Sequence, residues 1–189
     1  ILDDPHAKAV ELLRQGEVIG WFRGRMEFGA RALGNRSILA DPSQPGIAQR
    51  INRLVKFRES WRPFSASLLE SAADDYIDRG SLRSHDEAMA LSVKSTPQFR
   101  ESYPDIVHVD GTARLQVVRK NSNADFYSLL SQFAEATSQR LLINTALNRP
   151  GEALVCTPED ALNAFHGTDL NYLILGDLLV SKREEVDDW

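Results

Sequence analysis

The sequence predicts an α/β domain with a twisted, mostly mixed open sheet and flanking helices. Short apolar runs typical of buried strands alternate along the chain with amphipathic helical segments. The 189 residues suit one domain with its own core. The sequence contains no internal repeat and no low-complexity segment that would indicate a different architecture.

The first half of the chain carries two predicted helices and three predicted strands. A helix is predicted over 4–16, because Asp4 can cap it, Pro5 suits its first position and Gly16 can end it. The apolar pattern then predicts strands over 18–22, 37–40 and 64–69 and a helix over 47–55.

The second half is predicted from the same signals. Residues 74–84 are expected to be polar and irregular, 88–93 to form a buried strand, and 96–105, with two prolines, to be a mobile connection that can act as a lid. An amphipathic helix over 125–139, a buried strand over 140–143 and a helix from the Thr157 cap to His166 follow. A strand over 172–180, broken at Gly176-Asp177, precedes a charged tail over 181–189 that we expect to be loose or an attachment point.

The stretch from Gly20 to Pro42 indicates a binding site for an anionic small molecule. Glycine lets a backbone approach a ligand closely, and arginine offers a planar fork of donors that matches phosphate or carboxylate oxygens. The loop between the two strands of this stretch contains both, as Arg23, Arg25, Arg31 and Arg36 interleaved with Gly24, Gly29 and Gly34.

Arginines in loops are commonly solvated or paired with surface carboxylates, so the local charge balance matters. Between Trp21 and Arg62 there are nine basic residues and three acidic ones, whereas the rest of the chain has 13 basic and 24 acidic residues. Local partners are therefore too few, and a positive segment on a negative chain concentrates anion attraction in one place.

A second basic patch, 56–63, combines Lys56, Arg58 and Arg62 with two aromatic residues. Phe57 and Trp61 could stack on nucleobases, but they are equally well interpreted as core anchors that keep the loop rigid.

Two further stretches place polar groups at strand ends. Arg114 enters an apolar strand after the Asp110-Gly111 turn and needs an anionic partner, either Asp110 or a ligand. The strand over 140–143 ends in the polar run 144–152, at a position where α/β sheets bind ligands.

Other features exclude several classes of protein. The single cysteine, Cys156, rules out an internal disulfide and is interpreted as a buried structural residue, compatible with a cytoplasmic protein. The net charge of −5 argues against general attraction to nucleic acid or membranes, and no apolar run has the length of a membrane span. The four histidines lack metal-ligand spacing and are expected on the surface or satisfied in the core, and no Walker-type motif is present.

Four segments together resemble one family, the C-terminal YrdC-like domain of the NodU-type O-carbamoyltransferases. These segments are GRMEFGARALGNRSILADP, KFRESWRPFSASLL, VDGTARLQVV and INTALNRPGEALVCTPEDA. The chain departs from the family pattern in having Ala30 in place of a proline, Ala146-Leu147 in place of Ser-Phe, and Ala153 in place of a proline. None of these departures removes a charged group.

The resemblance implies that the domain uses ATP and carbamoyl phosphate to make a carbamoyl-adenylate, with Mg²⁺ expected alongside ATP. It also implies an N-terminal Kae1-like domain, absent from this chain, which holds iron or another metal and moves the carbamoyl group to an alcohol. Residues 1–189 are then one domain of a longer chain, performing the activation half-reaction. On matching positions the implied catalytic contacts are Arg31, Arg36, Lys56 and Arg62, and the implied substrate and nucleotide contacts are Arg114, Asn144, Thr145 and Asn148.

Three alternatives stay open. A threonylcarbamoyl-adenylate synthase of the same fold would need threonine and bicarbonate. An RNA-binding module using the same basic groove would bind with a steep salt dependence, which the acidic remainder of the chain disfavours. A degenerate domain that binds nucleotide and only scaffolds its partner is the third.

Overall fold

The computed structural model describes residues 1–78 and 86–182. Its strands are β1 Ile19–Phe22, β2 Arg36–Ala40, β3 Ala66–Leu69, β4 Val93–Lys94, β5 Thr112–Ala113, β6 Leu115–Val118, β7 Leu141–Ala146, β8 Tyr172–Leu175 and β9 Leu178–Ser181. Its α-helices are α1 Pro5–Arg14, α2 Ile47–Ile51, α3 Ala73–Tyr76, α4 Pro97–Ser102, α5 Ala124–Thr137 and α6 Pro158–His166.

Seven of these strands form one sheet in the order β6-β3-β7-β2-β1-β8-β9. The β3–β6 and β1–β8 pairs are parallel, and the other neighbours are antiparallel. The predicted mixed α/β sheet is therefore confirmed. A separate two-stranded ribbon joins β4 and β5.

Helices cover both faces of the sheet because neighbouring strand residues point to opposite sides. Leu39 of β2 belongs to the apolar cluster formed with α1 and α5, in which Leu13 and Phe133 are fully buried. Ile38, the preceding residue, belongs to the cluster on the opposite face, which contains α2, α4 and α6. This two-sided packing holds the strand ends, and the loops that leave them, in fixed positions.

The helix termini follow the predicted chemistry. Asp4 accepts hydrogen bonds from the backbone N–H groups of His6 and Ala7, and Pro5 occupies the first position of α1. Thr157 and Asp160 form a capping box at the start of α6. The helix α2 continues through a π-helical turn, Asn52–Lys56, and ends at Phe57 in a left-handed conformation. That turn sets the direction in which Lys56 and the following basic patch leave the helix.

Two predicted elements in the middle of the chain are wrong. Residues 86–89 form turns, and the strand there is confined to Val93–Lys94, because the apolar run includes Leu91, which stays exposed. The predicted mobile connection over 96–105 is a capped helix, α4, followed by a 3₁₀ turn. Its prolines begin helical turns, and Phe99 is fully buried.

The segments predicted to be irregular or loose are only partly described. Residues 73–76 form α3, so the start of the predicted irregular region is helical, and 79–84 lie outside the described residues. At the other end, Ser181 completes β9 and Lys182 donates hydrogen bonds to carbonyls of Phe165 and Thr168. The rest of the charged tail, 183–189, lies outside the described residues as well. Within the described parts, no helix has both the length and the apolar character needed to cross a bilayer.

Candidate anion-binding site

Three loops and the end of a central strand enclose a cavity of about 270 Å³. The strand register explains the meeting point: Ser37 pairs with Ala146, and Ala66 pairs with both Ile143 and Leu115. The starts of β2, β3 and β6 therefore lie beside the end of β7. The residues lining the cavity are Ala30, Arg31, Ala32, Arg58, Trp61, Arg62, Pro63, Ser65, Met89, His108, Arg114, Asn144, Thr145 and Ala146.

Four arginines line this cavity, and none of the described lining residues is acidic. We call Arg31, Arg58, Arg62 and Arg114 the cavity arginines. Arg62 lies 3.6 Å from Glu59 at the exposed rim, and the others make no ion pair with any described residue. Arg58 donates a hydrogen bond to the carbonyl oxygen of Pro63 at 3.2 Å, and its guanidinium lies 4.2 Å from the centre of the Phe64 ring. The cavity thus presents positive charge that described carboxylates neutralise only at Arg62, as an anion site requires.

Burial and mutual repulsion lower the pKa values of two of these groups. The pKa of Arg114 is lowered by burial and then by the neighbouring Arg31. The pKa of Arg58 is lowered by burial and then by Arg62, against a smaller opposing effect of Glu59. Arginine still remains charged, since its ordinary pKa is far above neutrality. A bound anion would therefore stabilise the charged guanidinium and offset the free-energy costs of burial and of repulsion by neighbouring arginines.

The Gly-rich loop is held by a buried carboxylate. Glu27, which is 6% exposed, accepts hydrogen bonds at Oε1 from the backbone N–H groups of Leu33, Asn35 and Arg36 at 2.7, 2.8 and 3.1 Å. A carboxylate that gathers three backbone donors fixes the curve of the loop. This curve puts Arg31 and Ala32 on the cavity wall.

The buried side chain of Arg36 stabilises the same loop. Its guanidinium is buried, lies 3.5 Å from the centre of the Phe22 ring, and donates to the carbonyl oxygens of Arg23, Gly24 and Asn35 at 2.9 to 3.2 Å. Burial lowers the pKa of Arg36, and Glu27 opposes this shift. Arg36 therefore stabilises the loop and is not among the residues that line the cavity.

Arg23 is also neutralised by the protein. It forms ion pairs with Asp125 at 3.1 Å and Asp177 at 2.8 Å. These acids lie far away in sequence, so the expectation that this loop lacks partners is wrong for Arg23. We call Arg23 and Arg36 the frame arginines.

A network of buried amides supports the cavity floor. The side chain of Asn144 donates to the carbonyl oxygen of Ala32 at 3.2 Å and to Ser67 Oγ at 2.8 Å. Ser67 donates to Gln116 Oε1 at 2.6 Å, and Gln116 donates to the carbonyl oxygen of Leu33 at 3.0 Å. Side chains of β7, β3 and β6 thus form one hydrogen-bonded network that holds the loop.

Lys56 and Asn148 lie beside the cavity and contact each other. The Lys56 ammonium donates to the carbonyl oxygen of Ala146 at 2.6 Å and to Asn148 Oδ1 at 2.7 Å. Burial, and then the charge of Arg58, lower the pKa of Lys56 to about 7. The partners of Lys56 among the described residues are neutral oxygens, so the ammonium charge would also attract an anion that approaches Ala146.

The structure brings together five of the eight predicted site residues: Arg31, Arg62, Arg114, Asn144 and Thr145. Lys56 and Asn148 form a pair next to Ala146, and Arg36 lies in the loop frame. Arg58 and His108 also line the cavity but are not among the predicted site residues. Arg58 lies in the second basic patch, and His108 directly precedes the segment VDGTARLQVV. Asp110 accepts hydrogen bonds from Thr112 and forms no ion pair with Arg114, which leaves a ligand as the remaining predicted partner for Arg114.

Three further interpretations are corrected by exposure. Phe57 and Trp61 are 65% and 77% exposed, so they are not core anchors, because the turn after α2 directs both away from the sheet. Trp61 instead lines the cavity. Cys156 is exposed and is therefore not a buried structural cysteine. It precedes the α6 cap, and its backbone N–H donates to Asp160 at 3.0 Å.

The donor set fits phosphate and carboxylate groups rather than a metal ion. Guanidinium and ammonium groups donate to anionic oxygens and cannot coordinate cations. Within residues 1–78 and 86–182, no group of three or more His, Cys, Asp or Glu side chains could hold a metal ion. No residue is therefore assigned to Mg²⁺.

The chain matches known proteins over nearly its whole length. A family model described as carbamoyltransferase C-terminus matches residues 10–182. Nodulation protein NolNO of Sinorhizobium fredii is 41% identical over 188 residues, which are 99% of this chain and 28% of that protein. A 3'-hydroxymethylcephem-O-carbamoyltransferase of Streptomyces clavuligerus is 32% identical, over 91% of this chain and 32% of that protein. The chain spans about a third of the length of the curated relatives it matches.

Two solved structures share the fold. HypF of T. kodakarensis superposes with a TM-score of 0.65 at 16% identity, over 98% of this chain and 22% of that chain. Sua5 of P. abyssi, complexed with L-threonine, gives a TM-score of 0.62 at 12% identity, over 90% of this chain and 46% of that chain. The predicted YrdC-like fold is confirmed by these neighbours.

Proposed function

The chain belongs to the carbamoyltransferase C-terminal domain family of NodU-type proteins, and from that membership we propose that it binds ATP and carbamoyl phosphate and forms a carbamoyl-adenylate. Residues 1–189 act in this proposal as one activation domain, in the cytoplasm, where ATP is available. A separate N-terminal Kae1-like domain of the longer protein completes the transfer to an alcohol.

The proposal rests on the cavity arginines, of which only Arg62 has an acidic partner among the described residues. Carbamoyl phosphate and the ATP triphosphate are both polyanions, and bringing them together requires charge neutralisation and alignment more than a protein nucleophile. The described lining residues supply four guanidinium groups and no carboxylate. Lys56 adds a positive charge from the side of Ala146 when it is protonated.

The reaction balances in two displacements. Water attacks the carbonyl carbon of carbamoyl phosphate, the bond from that carbon to the oxygen that bridges to phosphorus breaks, and carbamate, inorganic phosphate and a proton form. A carbamate oxygen then attacks the α-phosphorus of ATP, a new P–O bond forms, and pyrophosphate leaves. Both leaving groups are anions, so the cavity arginines stabilise the charge that develops in each step.

The test is a titration of the chain with ATP and with carbamoyl phosphate, separately and together, followed by a measurement of pyrophosphate release. We expect both ligands to bind the wild type and Arg31→Ala to weaken binding by about tenfold or more, as loss of a charged hydrogen bond predicts. Arg25→Ala is the matched control, because Arg25 is an exposed arginine of the same loop outside the cavity lining. Equal losses in both variants would point to general charge attraction and contradict a built site.

The alternatives give different results in the same assay. A threonylcarbamoyl-adenylate synthase would release pyrophosphate with threonine and bicarbonate in place of carbamoyl phosphate. An RNA-binding module would bind RNA with an affinity that falls steeply with salt. A degenerate scaffold would bind ATP and release no pyrophosphate when the N-terminal domain is supplied.

A further inference from the structure

His108 lines the cavity and is engaged through one of its two ring nitrogens. Its Nδ1 lies 2.8 Å from Thr112 Oγ1. The Thr112 hydroxyl in turn donates to Asp110 Oδ1 at 2.7 Å, and the Thr112 backbone N–H donates to the same oxygen at 2.9 Å. The three residues form a chain of hydrogen bonds that ends at a carboxylate.

This chain fixes the tautomer of the imidazole. The Thr112 hydroxyl has one hydrogen, and it is given to Asp110, so Thr112 Oγ1 must accept from His108. The Nδ1 atom of His108 therefore carries the proton, and in the neutral ring Nε2 keeps its lone pair. Nε2 makes no hydrogen bond with any described residue. The two Thr112 hydrogen bonds also lower the pKa of Asp110, so this carboxylate stays ionised at neutral pH.

Few side chains on the cavity wall offer a hydrogen-bond acceptor like Nε2 of the neutral His108 ring. The cavity arginines are donors and cannot accept. Ser65 and Thr145 have hydroxyls that turn to donate or accept as required, so they discriminate weakly between ligands. The Oδ1 atom of Asn144 is free of partners but has no accessible surface. In the neutral imidazole, His108 Nε2 is thus an acceptor of fixed orientation among the described side chains on this wall.

We infer that His108 Nε2 accepts a hydrogen bond from the amino group of the carbamoyl moiety and makes His108 the residue that selects carbamoyl over acyl groups. The inference rests on the proposed function. Phosphate oxygens need donors, which the cavity arginines supply, whereas a carbamoyl NH₂ is itself a donor and needs an acceptor. An acetyl group places a methyl group at the same position and leaves Nε2 unpaired, and that loss penalises binding.

Acetyl phosphate is the matched probe, because it differs from carbamoyl phosphate in having CH₃ in place of NH₂. Both would be titrated into the wild type, His108→Ala and Thr112→Val with a non-hydrolysable ATP analogue present. We expect the wild type to bind carbamoyl phosphate about tenfold more tightly than acetyl phosphate, the size of one buried hydrogen bond. His108→Ala should reduce this ratio to about twofold or less by weakening only carbamoyl phosphate.

Thr112→Val keeps the imidazole and removes the group that orients it. We expect a ratio between those of the wild type and His108→Ala, since the ring is then free to present either tautomer. His108→Gln places an amide oxygen near the same position and should restore part of the preference.

The outcomes separate the two proposals. If the wild type binds neither compound, the proposed function is overturned, and this inference falls with it. If the wild type binds both without preference, or if the preference survives His108→Ala, only the selective role of His108 is overturned. An equal weakening of both compounds in His108→Ala would show that the residue contacts the shared phosphate. An ATP affinity that drops in His108→Ala when neither phosphate compound is affected would assign Nε2 to the adenine amino group and likewise overturn the inference.

Discussion

The frame arginines and the cavity arginines differ in how far the folded protein supplies partners for their charged side chains. Arg23 is paired with Asp125 and Asp177, and Arg36 is surrounded by backbone carbonyls. Arg31 and Arg114 face each other's charge and have no acidic partner among the described residues. Arg23 and Arg36 therefore stabilise the fold. Arg31 and Arg114 lower stability through their mutual repulsion and are available to bind a ligand.

A high density of arginines therefore does not by itself locate a binding site. Arg23 and Arg31 lie in one loop and Arg36 begins the strand that follows it. The folded protein supplies partners for Arg23 and Arg36, whereas Arg31 has no acidic partner among the described residues. A binding arginine is one whose charge the folded protein leaves without a partner, and the variants below test this distinction.

The largest effect is expected in the frame, at Gly34. Gly34 has φ of +104°, and a Cβ there would lie 2.2 Å from the Phe126 ring, which is fully buried. Gly34→Ala should therefore lower the free energy of unfolding by roughly 3 kcal/mol or more. Chemical denaturation measures this change.

Gly29→Ala is the matched control for this position. Gly29 also has a positive φ, +131°, but an added Cβ would meet nothing within 4 Å. We expect a loss of about 1 kcal/mol from backbone strain alone. Similar losses in the two variants would mean that contact with Phe126 does not dominate at Gly34.

The next effect separates the two classes of arginine directly. Arg36→Ala leaves several buried carbonyl oxygens without their donor and should cost about 2 to 4 kcal/mol of stability. Arg31→Ala should change stability by about 0.5 kcal/mol or less, because Arg31 is exposed and removing it relieves repulsion on Arg114. Denaturation and ligand titration on both variants test the contrast. A destabilised Arg31→Ala would place Arg31 in the frame.

A smaller effect is expected at the carboxylate that holds the loop. Glu27→Gln keeps an oxygen for the three backbone N–H groups but removes the charge that faces Arg36, so stability should fall by about 1 to 2 kcal/mol. Glu59→Gln is the control, since Glu59 is an exposed partner of Arg62. If Glu27→Gln matched this control in stability, the charge of Glu27 would be irrelevant to the loop.

Local signals predicted most of the framework. The caps at Asp4 and Thr157 and the apolar strands are encoded within a few residues, so they could be found without tertiary information. The error at 88–93 arose because an apolar run cannot by itself distinguish a long strand from a turn followed by a short strand, in which only Met89 and Val93 are buried. The prolines of 96–105 were interpreted as breakers, whereas they begin helical turns.

The candidate site was predictable in position and less so in detail. Arg31, Arg62, Arg114, Asn144 and Thr145 lie at strand ends or in basic loops, and the sheet register brings these together. The role of Arg36 was not predictable, because its carbonyl partners exist only after the loop has curled around Glu27. The lone pair of His108 likewise depends on a hydrogen-bond chain that no spacing rule encodes.

The smallest effect is expected on the pH dependence of stability and concerns Lys56. Like the frame arginine Arg36, this lysine has neutral partners, and like most of the cavity arginines it has no acidic partner among the described residues. Its partners are neutral oxygens of Ala146 and Asn148, and its pKa is lowered from 10.5 to about 7. The unfolded chain therefore binds more protons than the folded chain between these two values, so the free energy of unfolding should rise with pH across this window. Lys56→Met should remove that rise, and Lys94→Met, at an exposed lysine, should leave it unchanged.

Binding shifts the same group in the opposite direction. A phosphate near Ala146 favours the charged ammonium, so ligand binding at pH 8 should take up as much as about one proton, and the uptake should vanish below about pH 6. Calorimetric titrations in two buffers of different ionisation enthalpy measure this number. Because the cavity arginines are charged throughout this range, they cannot supply the proton change. Proton uptake that persisted in Lys56→Met would assign the titrating group elsewhere. Loss of the uptake in this variant would show that the charged Lys56 ammonium interacts with the bound ligand.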